Sequence, residues 1–344
     1  MMKKRVVWFL GFGVLVVVAV VILWPSAPAP ELPAEIPVYQ PSFTPVVDRE
    51  DFFVESDGLR LEAALLIPQG GREPKPAVVF LAGSGLDHFD DYAPGFLESY
   101  VEGVFLPNDI AVLYFNKRGV GASEGNSRRN DFQGRADDAY AAVQALQAHP
   151  AVDPGRIGVI GYSQGGWVTS LVASQHDDVA FFISLAGPTT TVEEQIEHTA
   201  RSFYRCQGLE GDALERKVRG QLRQVRVGAT LGRVIPVGEI GFMAGILGYD
   251  PREALKAVST PGLLVFGETD GLVPPSENLA RLNEIFPEGL PENLSVVTMS
   301  NATHAFRVDE TGCAPWPDYL TLPYSVELVA ALTSWLQTEG FAVP

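Results

Sequence analysis

The sequence predicts an α/β fold, a mostly parallel sheet covered by helices on both faces, from three observations. Continuous apolar runs of strand length, such as residues 77–81 and 262–266, alternate with longer amphipathic segments. Such runs suit strands buried on both faces. A glycine-rich corner, Gly161-Tyr162-Ser163-Gln164-Gly165-Gly166, separates the apolar run 156–160 from the helical stretch 167–174. One long interval, from Pro188 to about Val258, breaks the alternation and carries helical periodicity alone.

Taken in order, Lys3-Lys4-Arg5 is followed by nineteen uncharged residues, 6–24, with Trp8 and Trp24 near the ends. A helix of that length spans about 28 Å, close to the roughly 30 Å hydrocarbon core of a bilayer. Residues 1–24 are therefore expected to be a membrane anchor, its basic flank cytoplasmic and the body extracytoplasmic (periplasmic or extracellular). The alternative is a cleaved signal and a secreted body, but cleavage after Ala27-Pro28-Ala29 would put Pro30 first in the mature chain. Residues 25–49 read as a proline-rich tether, with seven prolines between 25 and 45. The α/β core is assigned to 50–187 and 259–344, and a helical cap to 188–258.

Within the core, 51–55 and 59–67 read as a hairpin around Asp57-Gly58. Strands are expected at 77–81, 110–115, 156–160, 179–185, 262–266 and 294–299. Helices are expected at 96–104, 131–149, 167–174 and 324–337. In the cap, Val192, Ile196, Thr199, Phe203 and Cys206 form one helical face, and Leu214, Val218, Leu222 and Val225 a second. A glycine-rich apolar stretch, 228–248, follows. The basic run Arg216, Lys217, Arg219, Arg223 and Arg226 reads as a solvated face.

The 25 Lys and Arg against 42 Asp and Glu give a net charge of −17, which repels nucleic acid and argues against that partner. The cysteines, Cys206 and Cys313, form no Cys-x-x-Cys pair, and no His/Cys cluster has zinc spacing, so no metal is implied. Gly119-Val120-Gly121-Ala122-Ser123 meets Glu124 where a dinucleotide fingerprint needs glycine. No cofactor is implied.

The chemistry centres on Ser163. A strand turning sharply into a helix lifts the corner side chain clear of the sheet, beside free helix N–H groups. A serine hydroxyl is a weak nucleophile until a histidine takes its proton, and that histidine needs a carboxylate to fix its tautomer. Of the five histidines, His149, His176 and His198 read as surface residues and His88 as a possible site-mouth residue. His304 follows the last strand, where a loop can bring it to the sheet top. Asp270 follows the preceding strand in the same way, with Glu268 as the fallback acid. The order Ser163, Asp270, His304 is the serine–acid–histidine order.

These features resemble an α/β-hydrolase of the broad bacterial dienelactone hydrolase, acyl-peptidase-like and serine-aminopeptidase-like group. The likeness is carried by Leu81-Ala82-Gly83-Ser84-Gly85, Asn116-Lys117-Arg118-Gly119-Val120-Gly121-Ala122-Ser123, Gly161–Gly166, Tyr249-Asp250-Pro251 and the loops around Asp270 and His304. The resemblance implies an α/β-hydrolase fold with an inserted cap. It also implies an oxyanion hole made by the backbone N–H groups of Gln164 and Ser84. Many relatives have His-Gly where this chain has Ala82-Gly83, and the missing side chain is one that supports the loop. Arg118 is read as a loop-bracing residue. The expected activity is serine hydrolysis of small-molecule carboxylic esters through an acyl-enzyme on Ser163. The alternatives are an amide-cleaving peptidase and a non-enzymatic anchored binding module. The apolar cap faces are expected to form the acyl pocket. Cys206, placed on the inward face of the first cap helix, and Cys313, beyond His304, are expected to be joined, with two unpaired thiols as the other reading.

Overall fold

The computed structural model describes residues 35–92, 95–314 and 318–342. The expected anchor and the first part of the tether lie outside them. Strands β1 (Val47–Ser56) and β2 (Leu59–Pro68) form the expected hairpin, closed by Asp57 and Gly58, both at positive φ. Six more strands follow: β3 (Lys75–Leu81), β4 (Ala111–Phe115), β5 (Val152–Tyr162), β6 (Phe182–Leu185), β7 (Gly262–Gly267) and β8 (Leu294–Met299). They make one eight-stranded sheet in the order β1-β2-β4-β3-β5-β6-β7-β8. β2 is antiparallel to β1 and β4, and every other pair is parallel. The carboxyl ends of β5, β7 and β8 therefore share one edge of the sheet, where loops can meet.

Side chains alternate across a strand, so neighbours in sequence serve opposite layers. Val79, Leu113, Val159 and Leu264 pack with α3 (Phe132–Gln147), α4 (Gln164–Gln175), α8 (Arg252–Ala257) and α9 (Pro275–Ile285) through Ala136, Val143, Trp167, Val172, Leu255 and Leu282. Val78, Val112, Ile160 and Val265 face a π-helical turn α1 (Glu98–Glu102), its continuation α2 (Gly103–Phe105) and α10 (Val326–Thr338). Tyr100, Phe105, Leu328 and Leu332 fill that layer. Asp131 caps α3, accepting the Gly134 N–H at 3.0 Å.

Between β6 and β7 run α5 (Val192–Cys206), α6 (Gly211–Val234) and α7 (Gly238–Ile246), followed by α8. A capping box between Thr191 and Glu194 starts α5. Val192, Ile196, Leu214, Val218, Leu222 and Val225 join the same apolar cluster as the sheet, so this insertion shares the main core. Gln195 donates to the Leu272 carbonyl, which sets α5 against the loop after β7.

The glycine-rich stretch 228–248, part of the interval expected to be helical, is mostly helix: α6 runs to Val234 and α7 folds back on it. A Cβ on Gly232 would lie 1.9 Å from the Ile240 carbonyl oxygen, so its glycine is a packing notch between helices. Three expectations need correcting. The inward face of α5 stops at Ala200, leaving Phe203 half-buried and Cys206 exposed. Helix α9 was not anticipated; its buried residues include Asn278, so its apolar face is short. The tether is not free along its length, because Tyr39 donates its N–H to Ser99 Oγ at 3.1 Å and stacks edge-on against Tyr324, while Arg307 donates to the Pro37 carbonyl at 2.7 Å.

Candidate active site

Ser163 sits between β5 and α4 with φ 53° and ψ −121°, a strained conformation for a residue with a side chain. Its N–H donates to the Leu185 carbonyl at 2.8 Å, and its carbonyl accepts from Gly166 at 2.8 Å, so the turn is held at both ends. A Cβ on Gly161 would come within 2.3 Å of the Gly165 carbonyl oxygen, and one on Gly165 within 2.2 Å of the Leu81 carbonyl oxygen. The glycine pattern is thus a steric requirement of the corner.

The three residues picked out by their order converge at the strand ends. Ser163 Oγ and His304 Nε2 are 2.9 Å apart, and His304 Nδ1 lies 2.8 Å from Asp270 Oδ2. With the proton on Nδ1, His304 donates to Asp270 and accepts from Ser163. Asp270 is buried, and its other oxygen, Oδ1, accepts the N–H groups of Leu272 and Val273 at 2.8 and 2.9 Å. The Tyr162 ring packs 5.1 Å from the His304 ring, centroid to centroid, and steadies the imidazole on one side.

The loop after β3 passes beside Ser163: a Cβ on Gly83 would lie 3.4 Å from Ser163 Cβ. Gly83 donates its N–H to Tyr92 Oη at 2.8 Å, which removes it as a donor to a ligand. Ser84 and Gln164, the two expected oxyanion donors, keep their N–H groups without a protein acceptor among the described residues. For Gln164 the reason is geometric, since the first residue of a helix has no intrahelical acceptor for its N–H.

Sequence reasoning missed the groups that hold this loop. Lys117 Nζ donates to the Gly83 carbonyl and, at 2.6 Å, to that of Gly85. Arg135 donates to the Ala82 carbonyl at 2.6 Å and to Gln164 Oε1 at 2.5 Å. A cation on the buried face of α3, between Phe132 and Ala136, was the available signal for Arg135.

The remaining candidates have other partners. Glu268 is exposed and accepts the Asn301 N–H at 2.8 Å, so it takes no part in the Ser163–His304–Asp270 chain. His88 faces Glu62 at 3.2 Å, His149 faces Glu50 at 3.1 Å, and His176 stacks on Tyr140 with centroids 3.4 Å apart. Arg118 braces as expected, with a two-pronged contact to buried Asp138 at 2.7 to 3.0 Å. Cys206 and Cys313 form a disulfide with Cα atoms 5.5 Å apart, joining the end of α5 to the segment beyond His304. Among the described residues no group of three or more His, Cys, Asp or Glu could hold a metal ion. Two cavities, of about 90 and 580 Å³, are lined by none of Ser163, Asp270 and His304.

The family model of the X-Pro dipeptidyl-peptidases (S15 family) matches residues 57–226. In structure, an esterase of Pyrococcus furiosus superposes with a TM-score of 0.58 at 18% identity, covering 90% of this chain and 98% of that one. The chain has the α/β-hydrolase fold. By sequence, the chain is 28% identical to a polyketide transferase of Stachybotrys chlorohalonatus over 277 residues, 71% of this chain and 86% of that protein. It is 32% identical to a thiohydrolase of Aspergillus aculeatus over 115 residues, 33% of this chain and only 33% of that protein.

Proposed function

We propose that this protein is an enzyme of the serine-hydrolase type that cleaves carboxylic esters through an acyl-enzyme on Ser163. The unbroken chain from Ser163 Oγ through His304 to Asp270 carries the reading. In the first half-reaction His304 Nε2 takes the hydroxyl proton as Oγ attacks the ester carbonyl. The oxyanion that forms accepts the N–H groups of Ser84 and Gln164, donors worth about 3–4 kcal/mol each when fixed in place. Asp270 stabilises the imidazolium. His304 then gives its proton to the departing alkoxide, and a water, deprotonated by the same nitrogen, releases the acid. The half-buried Phe203 on α5, beside the loop that carries Asp270, is proposed to border the acyl group.

An esterase and a thiohydrolase stand among the proteins it is similar to, which favours acyl transfer from esters. The matching dipeptidyl-peptidase model supports the second reading, amide cleavage. A complete triad weighs against a binding module without activity. We also infer a membrane-anchored, extracytoplasmic body, a reading supported by the Cys206–Cys313 bond, since such bonds persist in oxidising compartments. Purified enzyme should be assayed on p-nitrophenyl esters of graded chain length beside aminoacyl anilides. A kcat/KM for any anilide above that of every ester would overturn the ester reading.

A further inference from the structure

We propose that Arg135 and Lys117 are positioning residues that set the spacing of the two oxyanion donors and surround them with positive potential. The inference rests on the acyl-enzyme reading above. Its geometric core is that one guanidinium touches both halves of the hole. Nη1 of Arg135 reaches the side chain of Gln164, whose N–H is one donor. Nη2 reaches the carbonyl of Ala82, two residues before the other donor, Ser84. The fork of an arginine is planar and rigid, so these two contacts fix a distance rather than merely attract. Lys117 completes the frame by gripping the carbonyls of Gly83 and Gly85, on either side of Ser84. Tyr92 holds the Gly83 N–H away from the site.

The charges deserve separate explanation, because neutral groups could also brace a loop. Arg135 is 8% exposed, and its polar contacts are a carbonyl and an amide oxygen. Neither it nor Lys117 makes an ion pair among the described residues; Asp138, which acts on Arg135 from a distance, is already taken by Arg118. Asp87 acts on Lys117 in the same distant manner. Burial accordingly pushes Lys117 well below its ordinary range and Arg135 down to about 10. A buried guanidinium without a carboxylate, beside a lysine whose protonated form burial disfavours, is a costly arrangement in a resting protein. That cost falls when a negative charge develops beside them, which is what happens on the substrate oxygen in the transition state.

The test uses the full chain, with ester turnover and affinity for a trifluoromethyl ketone, whose adduct with a serine carries an oxyanion. Arg135→Lys keeps the charge and loses the fork. Gln164→Leu removes one prong on a half-buried side chain and guards against a folding failure at Arg135. Each should lower kcat about 100-fold with KM within about twofold, and weaken the ketone by a similar factor. Gln164→Glu separates spacing from potential: it gives Arg135 a stronger partner yet cancels its charge, and should still lower kcat about tenfold. Melting temperatures report folding for each variant. Kinetics and ketone affinity within threefold of wild type for both Arg135→Lys and Gln164→Leu would overturn the proposal, as would a loss confined to KM. Ser163→Ala run alongside keeps the two readings apart: turnover surviving there defeats the acyl-enzyme itself, whereas turnover abolished there with intact Arg135 variants defeats the positioning role alone.

Discussion

Replacing Asp270 by asparagine tests the catalytic reading at its most buried member. The outcome can be worked out from the hydrogen bonds around the carboxylate. Oδ1 accepts two backbone N–H groups, from Leu272 and Val273, so an asparagine must place its carbonyl oxygen there. Its amide NH2 then faces His304 Nδ1, where Asp270 Oδ2 now lies at 2.8 Å. Two donors cannot share that contact, so His304 is forced to accept at Nδ1 and carry its proton on Nε2, facing Ser163. In that tautomer it cannot take the hydroxyl proton. Fixing the wrong tautomer in this way costs about 10⁴ in kcat, or roughly 5.5 kcal/mol of barrier. Steady-state kinetics on p-nitrophenyl acetate should show that loss in kcat with KM nearly unchanged and with a melting temperature close to wild type. A loss below tenfold in a folded variant would mean that Asp270 does not set the imidazole, and the assignment of the triad would fall.

A fluorophosphonate probe should label the wild type and leave Ser163→Ala unlabelled, while His304→Ala should label far more slowly; equal labelling of all three would place the nucleophile elsewhere. Phe203→Ala should move the preferred ester chain length without a comparable change in melting temperature, and an unaltered preference profile would remove Phe203 from the pocket. Glu62 is held below the ordinary carboxylate value, first by the Ala122 N–H and then by the Asn116 side chain. Its contribution is therefore present above about pH 4.5 and is lost as pH falls through the lower folded value. Glu62→Gln should flatten this acid limb in melting curves recorded against pH; an unchanged limb would assign it to other carboxylates.

What could be read from the sequence were the features with local steric or order constraints. The Ser163 corner needs glycine at 161 and 165 because backbone atoms occupy the space a Cβ would fill. Asp270 and His304 follow successive strands, so parallel pairing alone brings them to the edge where Ser163 stands. The supports of the oxyanion loop obey no such rule. Tyr92, Lys117 and Arg135 come from three separated stretches, and only tertiary packing places them around residues 82–85. The α6–α7 segment was legible as helix but not as a fold-back. Its glycines permit close helix contact, as Gly232 does against Ile240, but linear spacing does not show which residues meet. In the tether, prolines masked the one aromatic, Tyr39, that docks against the body.

The disulfide also has a topological consequence. Cys206 and Cys313 are 107 positions apart and close a covalent ring that contains Asp270 and His304 but not Ser163. Asp270 and His304 thus belong to one closed circuit, and Ser163 to the arm that enters it. The sharp turn between α6 and α7, where Val234 is 79% exposed and Ile235 and Val237 are also open to solvent, lies inside this circuit. A protease that cuts there opens the ring without releasing a fragment, because the two pieces stay joined through the sulfur atoms. The nicked enzyme should run as one band without reductant and as two with it. Its triad loops should stay in place until the bond is reduced, so that the most accessible peptide bonds of the insertion are also ones whose loss the fold can survive.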